Sequence, residues 1–151
     1  MFEIVEIETA QGGKIGLGPQ PNSAQDFEHI AKYNPKHLIT LTENHEWQLD
    51  DFPDYAEDSA ENWHHHAVRD FTAANETINP LLDVLNASLS RKERIFIHCR
   101  GGCGRAGMLT MRLLIMQGED VDQALPRLRK VRPCAVETKE QEFWASFGLN
   151  A

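Results

Sequence analysis

The stretch that decides the fold is residues 94–108, RIFIHCRGGCGRAGM. Its opening places β-branched and aromatic side chains between Arg94 and His98, which predicts a buried strand. Glycines follow at positions 101, 102 and 104. The apolar residues from Ala106 to Gln117 are then typical of a largely buried helix. A strand, a glycine-rich loop and a helix therefore follow one another directly.

A loop of this composition can hold a phosphate-like anion. Glycine tolerates positive φ and adds no side chain, so successive backbone N–H groups can turn toward one point. The following helix adds partial positive charge there, and Arg105 can offer two parallel hydrogen bonds. Cys99 opens the loop, where the same groups would stabilise a thiolate. The residues thus predict in-line phosphoryl transfer to sulfur.

The loop resembles the protein-tyrosine phosphatase signature. That signature is carried by His98-Cys99, five further residues, and Arg105. The chain is most similar to the dual-specificity branch, near the cyclin-dependent-kinase-associated phosphatases, through these features: the glycines at 102 and 104, Arg132-Pro133, and Glu137-Thr138-x-x-Gln141. The alternation of strands and helices and the resemblance agree on an α/β fold, with a mainly parallel central sheet flanked by helices in a three-layer sandwich.

The resemblance also implies a set of site residues. Cys99 would be the nucleophile, Arg105 the clamp on phosphate and transition state, and Asp70 the general acid that later acts as base. Asp70 directly follows a predicted strand upstream of the loop. The substrate phosphate would be held by Arg100, Gly101, Gly102, Cys103, Gly104 and Arg105. No metal or other cofactor is expected.

One position departs from the family pattern. The family usually carries Ser or Thr after the arginine, whose hydroxyl stabilises the departing thiolate, and here that residue is Ala106. Slow turnover is therefore expected, and a phospho-binding module without hydrolysis is one alternative. A thiol enzyme of the arsenate-reductase or rhodanese kind is another. Gln141 fits two roles, the water-positioning glutamine of the family and the third residue of a helix capping box.

The remaining cysteines point away from a disulfide framework. The chain has three cysteines in all, an odd number in a chain long enough to bury a core without covalent links. Cys134 is interpreted as a buried small hydrophobe. Cys103 either fills a loop position or forms a reversible disulfide with Cys99 under oxidation.

Histidines occur at two places of interest. His64 and His66 would share one face of a strand, but no further ligands accompany them, which disfavours a zinc site. His98 is expected to orient the loop through hydrogen bonds.

Length and charge limit the remaining options. The chain has 151 residues and a net charge of −8, which predicts one phosphatase domain over residues 1–151 and disfavours binding to nucleic acid or anionic membranes. The acidic Glu43–Glu61 segment is interpreted as a solvated face, although its aromatic residues favour a folded segment. The acidic N-terminus predicts a cytoplasmic protein. The expected partner is a phosphorylated protein or peptide, and a monomer is favoured.

The other predicted elements complete the alternation. They are a hairpin over Phe2–Ile7 and Lys14–Leu17, a helix from Ser23 to Tyr33, a central strand over His37–Thr42, a strand over Trp63–Val68, and helices over Glu76–Ser90 and Asp120–Val131. A last helix after Thr138 is expected to bury Phe143, Trp144 and Phe147.

Overall fold

The computed structural model describes residues 1–148, so the last three residues of the predicted domain lie outside it. Five strands form one sheet in the order β1-β2-β5-β3-β4. They are β1 Val5–Glu8, β2 Lys14–Gly18, β3 His37–Thr40, β4 Asn62–His65 and β5 Arg94–His98. β1 and β2 pair antiparallel, and the other pairings are parallel, which confirms the predicted sheet. The central position belongs to β5, with β3 beside it.

Six α-helices accompany the sheet in the described residues. They are α1 Ala24–Tyr33, α2 Phe52–Asp58, α3 Asn79–Ser90, α4 Gly104–Met116, α5 Val121–Val131 and α6 Lys139–Phe147. Short 3-10 helices cover Asn44–Glu46 and Glu76–Ile78. Across residues 1–148, no helix is long and apolar enough to cross a lipid bilayer.

The sheet separates two apolar clusters, which makes the fold a three-layer sandwich. On β3, Leu38 faces one cluster and Ile39 the other, because successive strand residues point to opposite faces. The smaller cluster lies against α1 and α2, where Phe27 and Phe52 pack edge to face. The larger cluster joins the sheet to α3, α4, α5 and α6. The acidic segment is therefore folded, since it contributes α2.

The last helix buries less than expected. Trp144 is buried, but Phe143 and Phe147 are 58% and 54% exposed, so the prediction for these two phenylalanines was wrong. They lie four residues apart on one helix face and contact each other edge to face. The face that packs on the core carries Gln141, Trp144 and Ala145 instead.

The cysteines pair differently from the prediction. Cys103 and Cys134 form a disulfide with their Cα atoms 5.1 Å apart, although no disulfide framework was expected. Cys134 is exposed, so its interpretation as a buried hydrophobe was wrong. Cys99 is the free cysteine and is buried. The reason is the path of the chain, which returns after α5 and brings Cys134 beside the loop.

Candidate active site

The loop between β5 and α4 depends on a glycine at one position. Gly102 has φ +74°, and a Cβ atom there would lie 2.4 Å from the carbonyl carbon of Gly18 at the end of β2. Any larger residue would collide with this backbone. Gly102 is buried, and its role in holding phosphate through the backbone N–H stays a prediction.

The backbone amides of this loop are left for a ligand. Within residues 1–148, no N–H group from Arg100 to Arg105 donates a hydrogen bond. The N–H of Ala106 points to Sγ of Cys99 at 3.4 Å. The pocket in front of them has a volume of about 200 Å³ and is lined by Asp70, Phe71, Cys99, Arg100, Gly101, Cys103, Gly104, Arg105 and Glu137. Unpaired amides beside a sulfur and a helix N-terminus make an anion site.

The carbonyl groups of the same loop are occupied on its other side. The Arg132 guanidinium donates to the carbonyls of Gly101 and Gly102, at 2.7 and 3.1 Å. The N–H of Val136 donates to the carbonyl of Cys103 at 3.2 Å. These contacts hold the carbonyls in place while the N–H groups of the loop stay unpaired.

Arg105 is held by a carboxylate that the sequence analysis missed. Its Nη1 and Nη2 donate to the two carboxylate oxygens of Glu46, each at 2.9 Å, and Nη1 also donates to the carbonyl of Val68. The two side chains are only 1% and 4% exposed. Burial works against the charge of Arg105, but the hydrogen bonds to Glu46 and nearby negative charge leave its pKa raised. The hydrogen bond from Arg105 lowers the pKa of Glu46.

This pairing leaves one edge of the guanidinium for an anion. Nε of Arg105 is buried and has no hydrogen-bond partner within residues 1–148. Oδ1 of Asp70 lies 3.4 Å from Nε, which is ion-pair range without hydrogen-bond geometry. Glu46 takes one N–H from each of the two terminal nitrogens. The N–H of Nε and the second N–H of Nη2 lie along one edge of the guanidinium, and this edge is left for a ligand.

The sequence analysis could not single out Glu46 because many acidic residues surround it. The acidic Glu43–Glu61 segment holds eight carboxylates, and the prediction of a solvated face did not distinguish one of them. A usable signal was the requirement that a buried arginine be paired with an acid. Glu46 is also fixed locally, because its carboxylate accepts from the N–H of Glu43 at 2.8 Å in a capping box.

Asp70 lies at the edge of the pocket. Its Oδ1 accepts a hydrogen bond from the N–H of Phe71 at 2.9 Å. Its side chain is 36% exposed, and the adjacent Phe71 has φ +64° and lines the same pocket. The remaining oxygen, Oδ2, makes no hydrogen bond within residues 1–148 and is therefore available to a ligand.

His98 connects the loop to the sheet beneath it. Nε2 lies 2.8 Å from Oγ1 of Thr40, and Nδ1 lies 3.2 Å from the carbonyl oxygen of Cys99. The same Thr40 oxygen accepts from the indole N–H of Trp63. Complete burial lowers the pKa of His98 to about 4, so the ring is neutral near pH 7. A neutral ring accepts at Nε2 and donates at Nδ1, which orients Cys99 as expected.

Gln141 joins two parts of the site's frame. Its Oε1 accepts from the N–H groups of Glu137 and Thr138, which completes the predicted capping box. Its Nε2 donates to the carbonyl of Thr72, two residues after Asp70. The side chain thus links the start of α6 to the loop that carries Asp70.

The histidine run makes no joint ligand set. Nε2 of His64 lies 2.9 Å from Nδ1 of His37, at the edge where β3 and β4 pair. Among residues 1–148, one group of potential metal ligands comes together, and it consists of Glu43, His45 and Glu46. Because Arg105 already occupies the carboxylate of Glu46, this group fits a cation poorly.

Comparison with known proteins defines the class. The family model described as "PTP-SAK: Swiss Army Knife protein, DSP-PTPase phosphatase domain" matches residues 9–145. The chain therefore belongs to the dual-specificity type of the protein-tyrosine phosphatase superfamily. It is a cysteine-based phosphatase.

Solved structures share the fold over nearly the whole chain. Tk-PTP in its active form has a TM-score of 0.75 and 27% identity, with 87% of this chain and 88% of that chain covered. The kinase associated phosphatase KAP, with a serine replacing its catalytic-site cysteine, has a TM-score of 0.84 and 18% identity, with 95% and 92% covered. The catalytic core of the PP-IP phosphatase SIW14 from S. cerevisiae has a TM-score of 0.67 and 14% identity, with 97% and 83% covered.

Proposed function

We propose that the protein hydrolyses phosphotyrosine, and also phosphoserine or phosphothreonine, in phosphorylated proteins or peptides through a phosphocysteine intermediate. The observation that carries this proposal is the set of unpaired amides from Arg100 to Arg105 around Cys99. The unpartnered Nε of Arg105 adds a buried donor at the same place. The cytoplasmic location and the monomeric state stay predictions from the sequence.

In the first step, the thiolate of Cys99 attacks phosphorus, and the bond from phosphorus to the leaving oxygen breaks. The loop amides and the free edge of Arg105 stabilise the charge on the equatorial oxygens. Protonated Asp70 gives its proton to the leaving oxygen, which departs as a phenol or alcohol. Asp70 is partly exposed at the pocket edge, so it can reach the leaving oxygen of a substrate that enters from solvent.

In the second step, water attacks the phosphocysteine. Asp70, now a carboxylate, takes a proton from that water, and the sulfur–phosphorus bond breaks to regenerate the thiolate of Cys99. The N–H of Ala106 stabilises this thiolate, since it already points at Sγ from 3.4 Å. Inorganic phosphate is the product.

The pocket walls favour a substrate with one phosphate on an aromatic ring. Phe71 is 59% exposed and lines the pocket, so its ring can pack against a phenyl group. Glu137 lines the same pocket and is exposed, which disfavours a second phosphate close to the first. Arg100 is the exposed cation among these lining residues. A PP-IP substrate, as for SIW14, is therefore a poorer fit.

Two other functions stay open to the same experiments. A phospho-binding module without turnover is supported by Ala106, which lacks the hydroxyl that would assist thiolate departure. A thiol enzyme that resolves Cys99 with a second thiol of its own has none available while the bond between Cys103 and Cys134 is intact.

The test is hydrolysis of p-nitrophenyl phosphate from pH 5 to 8 with a chelator present. Wild type should turn over, and Cys99→Ser should lose all measurable activity while still binding phosphate. Trapping of a phosphorus-labelled protein at acid pH by wild type, and its absence from Cys99→Ser, would identify the intermediate. An inactive wild type that binds phosphate contradicts the enzyme and favours the binding module.

The role of Asp70 has a separate test. Asp70→Asn should lower kcat for phenyl phosphate by about 10²–10⁴-fold, because phenolate needs a proton to leave. The loss should be smaller for p-nitrophenyl phosphate, whose leaving group is more stable as an anion. Asp83→Asn, an exposed aspartate in α3, is the matched control and should be unaffected. Equal losses with both substrates would rule out general acid catalysis by Asp70.

A further inference from the structure

The Cys103–Cys134 disulfide attaches the phosphate loop to residues 132–137, which we call the return segment because it leads from α5 back to α6. Cys134 is exposed and Cys103 is partly exposed, so a reductant in solvent can reach the bond. Cys99 is buried and takes no part in the disulfide. The bond is therefore separate from the proposed chemistry but lies within the loop that would bind phosphate.

The return segment contacts three consecutive loop residues from one side. Arg132 holds the carbonyls of Gly101 and Gly102, and Val136 holds the carbonyl of Cys103. The disulfide at Cys103 is the covalent member of this set. Holding the carbonyls fixes the peptide planes of the loop, and with them the directions of its unpaired N–H groups.

The same segment also lines the pocket, where the side chain of Glu137 lies beside Gly104 of the loop. It ends at Glu137, which lines the pocket and whose N–H donates to Gln141. Gln141 in turn donates to the carbonyl of Thr72, near Asp70. Loosening the return segment would thus disturb the phosphate loop directly and the Asp70 loop through one further contact.

We propose that Cys103–Cys134 is a redox-modification site whose oxidised form is the phosphate-binding form of the protein. This inference rests on the proposed function of the loop. A dithiol reductant breaks the sulfur–sulfur bond, each cysteine gains one electron and one proton, and the reductant becomes a disulfide. The return segment then keeps only noncovalent contacts, and the loop amides lose part of their preorganisation for an anion.

Reduction of the disulfide and binding of phosphate are coupled in both directions. If the disulfide tightens phosphate binding by some factor, bound phosphate must make the disulfide harder to reduce by the same factor. We expect about tenfold, within the usual range of coupling between sites. For a two-electron thiol couple, a tenfold change corresponds to about 30 mV in the midpoint potential.

The experiment uses the Cys99→Ser chain, because it removes oxidation of the nucleophile from the measurement. Inorganic phosphate is titrated calorimetrically into the oxidised protein and into protein reduced with dithiothreitol. A thiol reagent should count no thiols before reduction and two after it, since the chain has three cysteines and one is replaced. We expect phosphate affinity to fall about tenfold on reduction.

A matched variant and a second readout complete the design. Cys99→Ser/Cys134→Ser lacks the disulfide and should bind phosphate like the reduced protein, with no response to dithiothreitol. The midpoint potential of Cys99→Ser, measured in dithiol buffers with and without saturating phosphate, should be about 30 mV more negative with phosphate. Agreement between the two readouts supports the coupling.

The other outcomes overturn the proposal in distinguishable ways. Equal or tighter phosphate binding after reduction overturns the redox inference and leaves the proposed function intact. Two reactive thiols in the air-oxidised protein would overturn it as well. Absence of phosphate binding in both forms would overturn the proposed function and this inference together.

Discussion

The phosphate loop and the residues that hold it are specified in different ways. Residues 99–105 are contiguous, and their glycines, cysteine and arginine are enough to predict an anion site from the sequence. Their support comes from distant parts of the chain: Glu46, Val68 and the return segment. The acidic Glu43–Glu61 segment thus contributes the buried carboxylate of Glu46 to the site. Net charge alone does not distinguish such buried acids from a solvated face.

Breaking the ion pair between Glu46 and Arg105 should have the largest effect on stability and activity. Glu46→Gln leaves Arg105 buried without its counter-charge, and we expect the free energy of unfolding to fall by about 3 kcal/mol. Arg105 would also lose its fixed position, so kcat/KM for p-nitrophenyl phosphate should fall about 100-fold. Urea unfolding and steady-state kinetics measure the two effects.

The acidic segment itself supplies the control. Glu57→Gln makes the same substitution at an exposed position in α2 and should change the free energy of unfolding by less than about 0.5 kcal/mol. If the two variants were equally stable and equally active, the Glu46 pair would be unimportant and the interpretation as a solvated face would be restored.

The fold was predictable wherever short-range patterns decide it. The continuous β-branched and aromatic run of β5 and the helix predicted from Ser23 to Tyr33 each depend on neighbours in sequence, and both elements formed as predicted. Phe143 and Phe147 were wrongly placed in the core, because burial depends on which helix face meets α4 and not on hydrophobicity alone. The capping-box spacing at Thr138 identified the start of the helix but not the face that it buries.

In the candidate site, too, features set by local sequence were predictable and features set by the chain's path were not. Cys99, Arg105 and Asp70 all border one pocket, although the strand predicted before Asp70, over Trp63–Val68, is observed at Asn62–His65. The bond between Cys103 and Cys134 could not be inferred, since it joins positions 31 residues apart and needs the path of α4 and α5 to bring them together. Pairing of cysteines is a property of the fold and not of their spacing.

The pH dependence of stability tests the state of His98, which lies beneath the loop. His98 has its pKa lowered to about 4 by burial, while an unfolded histidine has a pKa near 6.5. Between these values the unfolded chain binds a proton that the folded protein does not. The stabilising contribution is therefore complete above about pH 6.5 and is lost as pH falls toward 4, by about 1.4 kcal/mol per pH unit.

The measurement is the free energy of unfolding in urea at several pH values from 7 to 4. The free energy of unfolding of His98→Asn should fall less steeply with decreasing pH than that of wild type, by about 1.4 kcal/mol per pH unit. His29→Asn replaces an exposed histidine and should retain the wild-type dependence. Parallel curves for wild type and His98→Asn would mean that His98 is already protonated in the fold.

The smallest expected effect lies within the loop itself, at Ala106. A serine there would place a hydroxyl beside Sγ of Cys99, which the N–H of residue 106 already contacts. The hydroxyl should stabilise the thiolate as it leaves phosphorus, so Ala106→Ser should raise kcat about 2–10-fold, the effect of one modest hydrogen bond. Rapid mixing should also show a smaller burst of p-nitrophenol, because the phosphocysteine no longer accumulates. An unchanged kcat and burst would place the slow step before hydrolysis of the intermediate, and the departure at Ala106 would then have no kinetic consequence.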